Sequence, residues 1–291
     1  MITAKQVQEL RTTTGAGMME CKKALEATNG DIEAAVDWLR EKGIAKAEKK
    51  ATRIAAEGLA NIYANDTKAV ILEINSETDF VSKNAEFKAM LDEIGSAILN
   101  SDAKIMEEAL DLKIGSETIA EYITSKITKI GEKLSFRRFD VITKNADETF
   151  GTYLHMGGKI AVLTKVKGSL EVAKDIAMQT AAMKPRYIFE SDMTEEDIAK
   201  EKQVLKEQAM NEGKPADIAE KMVIGRLKKF YQENCLIDQE FIKDSSMNIK
   251  TYLENNHSEL INVIRYEVGE GLEHRCDNFA DEVMKQVNET K

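Results

Sequence analysis

Lys68-Ala69-Val70-Ile71-Leu72-Glu73-Ile74-Asn75-Ser76-Glu77-Thr78-Asp79-Phe80-Val81 is the stretch on which the fold turns. Its apolar run, Ala69 to Ile74, reads as a strand, and Asn61 to Ala64 reads as its neighbour across the turn signal Asn65-Asp66. Past Val81, the residues Phe87, Met90, Leu91, Ile94 and Ile98 recur at intervals of three and four, the pattern of a helix packed on a sheet. Thr78-Asp79-Phe80-Val81 is therefore a strand-to-helix turn carrying a carboxylate and a large ring. Two readings stand at this level. Thr78 or Asp79 caps the following helix while Phe80 packs back as a core anchor, or the pair is presented for insertion into a partner.

The second half repeats the first. A shift of 91 positions lays Lys68 on Lys159, Ile71 on Val162, Leu72 on Leu163, Val81 on Val172 and Lys83 on Lys174. Both copies then read strand, strand, turn, helix: Phe150 to His155, Lys159 to Val166 and Leu170 to Met183 in the second, as duplication predicts. Opposite Asp79 and Phe80 stand Leu170 and Glu171. The repeated unit does not need an Asp-Phe pair at its turn, which adds weight to a binding role in the first copy, although capping and packing suffice to explain the residues and stay slightly ahead.

Outward from this core, three short helices are expected at the N-terminus. Val7 and Leu10 mark the first and Thr12 to Gly17 ends it. Met18, Cys21, Ala24 and Leu25 form the inner face of the second, Asn29-Gly30 suits a left-handed cap, and Asp31 caps a third helix with Ile32, Ala35, Val36 and Leu39 inward. This arrangement resembles a ubiquitin-associated module. Glu41 to Arg53, rich in Lys and Ala, continues as a basic, solvated helix or linker, with no aromatic residue interleaved for base stacking. Ser101 to Leu134 reads as further helix and Phe136 to Ile142 as a strand. Thr194 to Glu212 and Pro215 to Tyr231 form an antiparallel helical hairpin, with Ile198, Leu205 and Ala209 facing Ile218, Met222 and Leu227, projecting from the body. Leu260 to Val268 is a last strand and Asp277 to Val287 a final helix.

The fold class is thus α+β: an N-terminal three-helix ubiquitin-associated-like module, a duplicated α+β core with antiparallel sheets, an inserted helical hairpin and a C-terminal helix. The expected divisions are 1–53 for the helical module and linker, 54–139 for the first core unit and 140–291 for the second. The hairpin is placed at about 193–232 and a C-terminal module at about 272–291 of the last unit.

Composition narrows the function. Lys+Arg 41 against Asp+Glu 51 gives a net charge of -10, which supplies no overall field for phosphate backbones and disfavours direct nucleic-acid binding. Cys21, Cys235 and Cys276 are isolated from one another, which indicates neither a disulfide framework nor a zinc site. A cytoplasmic setting follows as an expectation, together with the absence of a signal peptide pattern or an apolar stretch of membrane-spanning length. His155, His257 and His274 lack a Ser, Cys or carboxylate at triad or metal spacing. An enzyme, a metal site and a bound cofactor are all disfavoured. Gly15-Ala16-Gly17 and Gly269-Glu270-Gly271 lack the Lys-Ser/Thr ending of a phosphate loop and read as turns. His155-Met156-Gly157-Gly158 reads as a hairpin turn, with His155 either exposed there incidentally or touching a partner.

Several separated motifs resemble the bacterial elongation factor Ts family. They are Thr14-Gly15-Ala16-Gly17-Met18-Met19-Glu20-Cys21-Lys22-Lys23-Ala24-Leu25, then Thr78-Asp79-Phe80-Val81, Lys184-Pro185, Gly213-Lys214-Pro215 and Arg265-Tyr266-Glu267-Val268-Gly269-Glu270-Gly271. The His155 turn departs by one residue from the family pattern. The resemblance implies a guanine nucleotide exchange factor whose partner is elongation factor Tu, with no catalytic residue of its own. It implies that Thr78, Asp79, Phe80 and Val81 disturb the partner's magnesium and phosphate site, and that Met18, Met19, Lys22, His155 and Met156 make secondary contacts. The rival class is an adaptor that binds peptides or ubiquitin-like partners through the N-terminal module.

Overall fold

The computed structural model describes residues 2–14 and 16–273; the expected helix over Asp277 to Val287, with His274 and Cys276, lies outside them. Three helices come first, α1 (Ala4–Thr14), α2 (Met18–Ala27) and α3 (Ile32–Lys50). Leu10, Cys21, Ala24, Leu25 and Ala35 close a small core between them. Asn29 and Gly30 take left-handed φ angles of 54° and 87°, and Asp31 caps α3 by accepting from the Ala34 amide at 3.0 Å. Met18, expected on the inner face of α2, is 51% exposed. It is the first residue of the helix, and Cys21, Ala24 and Leu25 one to two turns later do the packing. The basic stretch forms the second half of α3, whose end is tied down by Lys50 donating to the Gly131 carbonyl.

The first core unit runs β1 (Glu57–Ala64), β2 (Lys68–Ser76), α4 (Asp79–Lys83), α5 (Ala85–Leu99), α6 (Met106–Asp111), β3 (Lys113–Ile114), β4 (Glu117–Thr118), α7 (Ile119–Ile130) and β5 (Leu134–Thr143). The helical reading of Ser101 to Leu134 thus gives way to two helices around a small hairpin. Gly115 turns that hairpin at a φ of 63°, and Thr118 with Glu121 restarts the helix as a capping box. The second unit runs β6 (Glu148–His155), β7 (Ile160–Lys167), α8 (Leu170–Met183), α9 (Glu195–Asn211), α10 (Ala216–Asn234), β8 (Glu240–Phe241), β9 (Asp244–Asn248), α11 (Ile249–Asn255) and β10 (Glu259–Glu267). Each unit builds an antiparallel three-stranded sheet, ordered β1-β2-β5 and β10-β7-β6.

The two sheets pack face to face. Ala60, Ala69 and Ile71 of the first meet Phe150, Ala161, Leu163 and Tyr266 of the second. On its other face the first sheet sets Val70, Leu72 and Ile74 against Phe87, Met90 and Ile94 of α5. The second sets Val162 against Ala177 of α8 and Val166 against Ile176. Helix, sheet, sheet and helix make four layers, so β2 and β7 are buried on both faces and read as apolar runs without strict alternation.

No single shift reproduces the repeat. Residues with the same surroundings coincide when β2 is moved by 92 positions, which sets Ala69 on Ala161 and Ile71 on Leu163, and when β1 is moved by 90, which sets Ala60 on Phe150 and Tyr63 on Tyr153. The helix caps Thr78 and Ser169 coincide at 91. Strand side chains alternate between faces, so the uniform shift of 91 pairs inter-sheet Ile71 with helix-facing Val162. The two-residue step from 90 to 92 is taken up in the hairpin turns, and the return to 91 in the strand-to-helix links, which differ by one residue.

One charge is buried between the sheets. Glu73 on β2 is fully buried and accepts from Arg137 at 3.0 Å, Arg138 at 2.6 Å and the Gly269 amide at 2.9 Å. Burial alone would raise its pKa, but the Gly269 amide, Arg138 and Arg137 outweigh it and hold the carboxyl below the ordinary range. This carboxylate ties the first sheet to the turn after β10.

The α9–α10 arm closes on a narrow seam of Leu205 and Ala209 with Ala219 and Val223. Ile218, expected in that seam, is 44% exposed because Ala219, the next residue round α10, takes the inner position. At the root of the arm, the amides of Arg186 and Tyr187 donate to the Asn234 carbonyl at 2.9 and 3.1 Å.

Candidate functional site

Phe80 is 81% exposed, the highest among the exposed large apolar side chains of the described residues. It is no core anchor. Its neighbour Val81 turns inward against the core of the first unit, so the helix pattern has its apolar phase at Val81. Thr78 occupies the N-cap position of α4 without making a side-chain cap bond. Its hydroxyl and its amide both donate to the carboxylate of Glu132, at 2.7 and 3.0 Å. Asp79 pairs with Lys83 at 2.6 Å. The hydrogen bond from Lys83 keeps its carboxyl below the usual carboxylate range, so it is ionised at neutral pH.

The backbone around Phe80 is held on both sides. Buried Ser76 donates to the Thr78 carbonyl at 2.9 Å, and buried Ser82 donates to the Asp79 carbonyl at 2.8 Å. An exposed ring on a tethered turn is ready for contact without first being ordered.

The second hairpin turn folds onto β1, the strand that α4 also contacts. Met156 at φ 49°, Gly157 at 67° and Gly158 at 103° curl the β6–β7 tip back over β1, where the Gly158 carbonyl accepts from the Ala60 amide at 2.8 Å. Lys159 forms an ion pair with Glu57. Glu57 is the β1 partner of Ser76, two residues before Thr78, and the charge of Lys159 also acts on Asp79. Met156 is 74% exposed. His155 is exposed and stacks on Tyr153, with ring centroids 6.1 Å apart.

Met18, Met19 and Lys22 are exposed at the start of α2. Their module reaches the first unit through α3, by Arg40 paired with Glu121 and Gly43 close against Thr128. The structure thus sets the Thr78 to Val81 turn and the β6–β7 tip that carries His155 and Met156 both against β1, and puts Met18, Met19 and Lys22 on a module of its own. Ser82 and Glu132 were not legible as contributors, since their roles depend on contacts that no local pattern encodes. Among the described residues, no group of His, Cys, Asp and Glu is placed to hold a metal ion, and no helix is long and apolar enough to cross a membrane.

A family model described as Elongation factor TS matches residues 77–270, from the root of the Phe80 turn to the turn after β10. The chain belongs to this family. A UBA-like domain model matches residues 5–46, the span of α1, α2 and most of α3. Membership in the elongation factor Ts family carries a role in translation elongation, as a nucleotide exchange factor that interacts with elongation factor Tu.

Proposed function

We propose that the chain drives exchange by pressing the Phe80 turn into the nucleotide site of elongation factor Tu. A GTPase holds GDP through a phosphate-binding loop and a magnesium ion. Phe80 inserts beside the partner's switch helix, and ionised Asp79 approaches the magnesium region, so the phosphates are left poorly held. Met156 and His155 widen the contact, while Met18, Met19 and Lys22 grip the partner elsewhere. The reaction requires no bond chemistry. Factor and nucleotide weaken each other's binding by equal factors, as linkage demands, and each displaces the other.

The single observation that carries this reading is the exposure of Phe80 on a turn whose flanking backbone is fixed. Burying a phenylalanine contributes about 1.5 to 3 kcal/mol, a part of the distortion energy that the wider contact completes. The test is release of a fluorescent GDP analogue from elongation factor Tu. The purified chain accelerates release, and excess GDP dissociates the complex of the two proteins. Unchanged release with binding of a ubiquitin-like protein would favour the adaptor.

A further inference from the structure

We infer that Glu132 and Glu77 are positioning residues for exchange, forming a two-carboxylate clamp that aims the Phe80 turn. This rests on the reading of Phe80 as the inserting residue. The clamp joins two loops far apart in sequence, the Glu77-Thr78 link between β2 and α4 and the Glu132-Lys133 link between α7 and β5. Glu132 accepts two hydrogen bonds from Thr78, through the hydroxyl at 2.7 Å and the amide at 3.0 Å. Glu77 answers in the opposite direction, accepting from the Lys133 amide at 2.6 Å. Each loop therefore gives a carboxylate to the backbone of the other.

A third segment locks the pair. Arg53, just after α3, donates to both oxygens of Glu77 at 3.2 and 3.3 Å, and the Glu77 side chain is only 6% exposed. The Lys133 ammonium donates to the carbonyls of Ala51 and Arg53 at 2.7 and 2.9 Å. Arg53 reaches both oxygens through one nitrogen, Nη1, and a hydrogen bond between ionised groups is stronger than a neutral one. The Glu132 contact falls on the residue that starts α4, so a rotation there swings Phe80, two residues on. A cap bond alone would need only a local Ser, Thr or Asp at position 78; reaching across 54 residues to Glu132 serves orientation of the turn.

The experiment measures stimulated release of fluorescent GDP over a range of full-length factor concentrations, separating maximal rate from half-saturation. Glu132→Ala and Thr78→Val are each expected to lower the maximal rate about tenfold, equivalent to about 1.4 kcal/mol, with half-saturation moved less than about twofold. Thr78→Ser, which keeps the hydroxyl, retains the wild-type rate. The double variant loses no more than Glu132→Ala alone, because both act through one contact. Melting curves accompany each variant; if Glu132→Ala does not fold, Thr78→Val and Thr78→Ser decide. A lowered melting temperature with an unchanged maximal rate overturns the positioning role. Phe80→Ala run alongside separates the two claims: if it too exchanges normally, the inserting reading itself fails, and if it alone is slow, only the clamp does.

Discussion

Phe80 and Val81 are adjacent and apolar, yet one faces solvent and the other the core. Truncating them should therefore have opposite consequences. Phe80→Ala should leave stability within about 0.5 kcal/mol of wild type, as surface changes do, whereas Val81→Ala should lose about 1 kcal/mol through lost packing. Urea denaturation of the two variants checks the contrast. The sequence placed both residues on a turn and left capping and packing open beside binding. What it lacked was the partner of Thr78, since Glu132 lies 54 residues away in a loop with no periodicity to read. Likewise Ser82 looks like an ordinary polar helix residue until its burial at 2% shows that it holds the Asp79 carbonyl.

At the scale of elements, the strands and long helices followed from periodicity. β2, β7 and α8 fall within a residue or two of their expected bounds. The phase between the two copies did not follow, because a shift by one preserves the apolar character of strands buried on both sides while reversing every face. The small hairpins β3–β4 and β8–β9 were missed for another reason: β3, β4 and β8 are too short at two residues to carry a period, and β9, Asp244-Ser245-Ser246-Met247-Asn248, has no apolar alternation to read. The β6–β7 tip illustrates how an element is fixed by one close approach. At Gly158, φ is 103° and an added Cβ would lie 2.8 Å from the Ala60 carbonyl oxygen. Gly158→Ala should lift the tip from β1 at a cost of about 1 to 3 kcal/mol, read in urea denaturation, and should also weaken the complex with elongation factor Tu by displacing Met156.

For the whole molecule, the buried Glu73 cluster couples the two halves. The folded pKa of Glu73 lies below its ordinary value of 4.5, so its stabilisation is present above that value and is lost as pH falls through the lower folded one. Melting temperature should accordingly drop as pH is lowered below about 4.5, and Glu73→Ala should flatten that acid limb. At neutral pH the same variant leaves the partly exposed Arg137 and Arg138 without their shared carboxylate and should cost about 1 to 3 kcal/mol. The frame of two facing sheets sets the Phe80 turn and the Met156 turn both against β1, with the N-terminal module carried on α3. The most direct measurement is the rate of fluorescent GDP release from elongation factor Tu at saturating Phe80→Ala factor. The account predicts release slowed about tenfold or more, corresponding to the loss of about 1.5 to 3 kcal/mol of buried ring, with an unchanged melting temperature; release at the wild-type rate would contradict it.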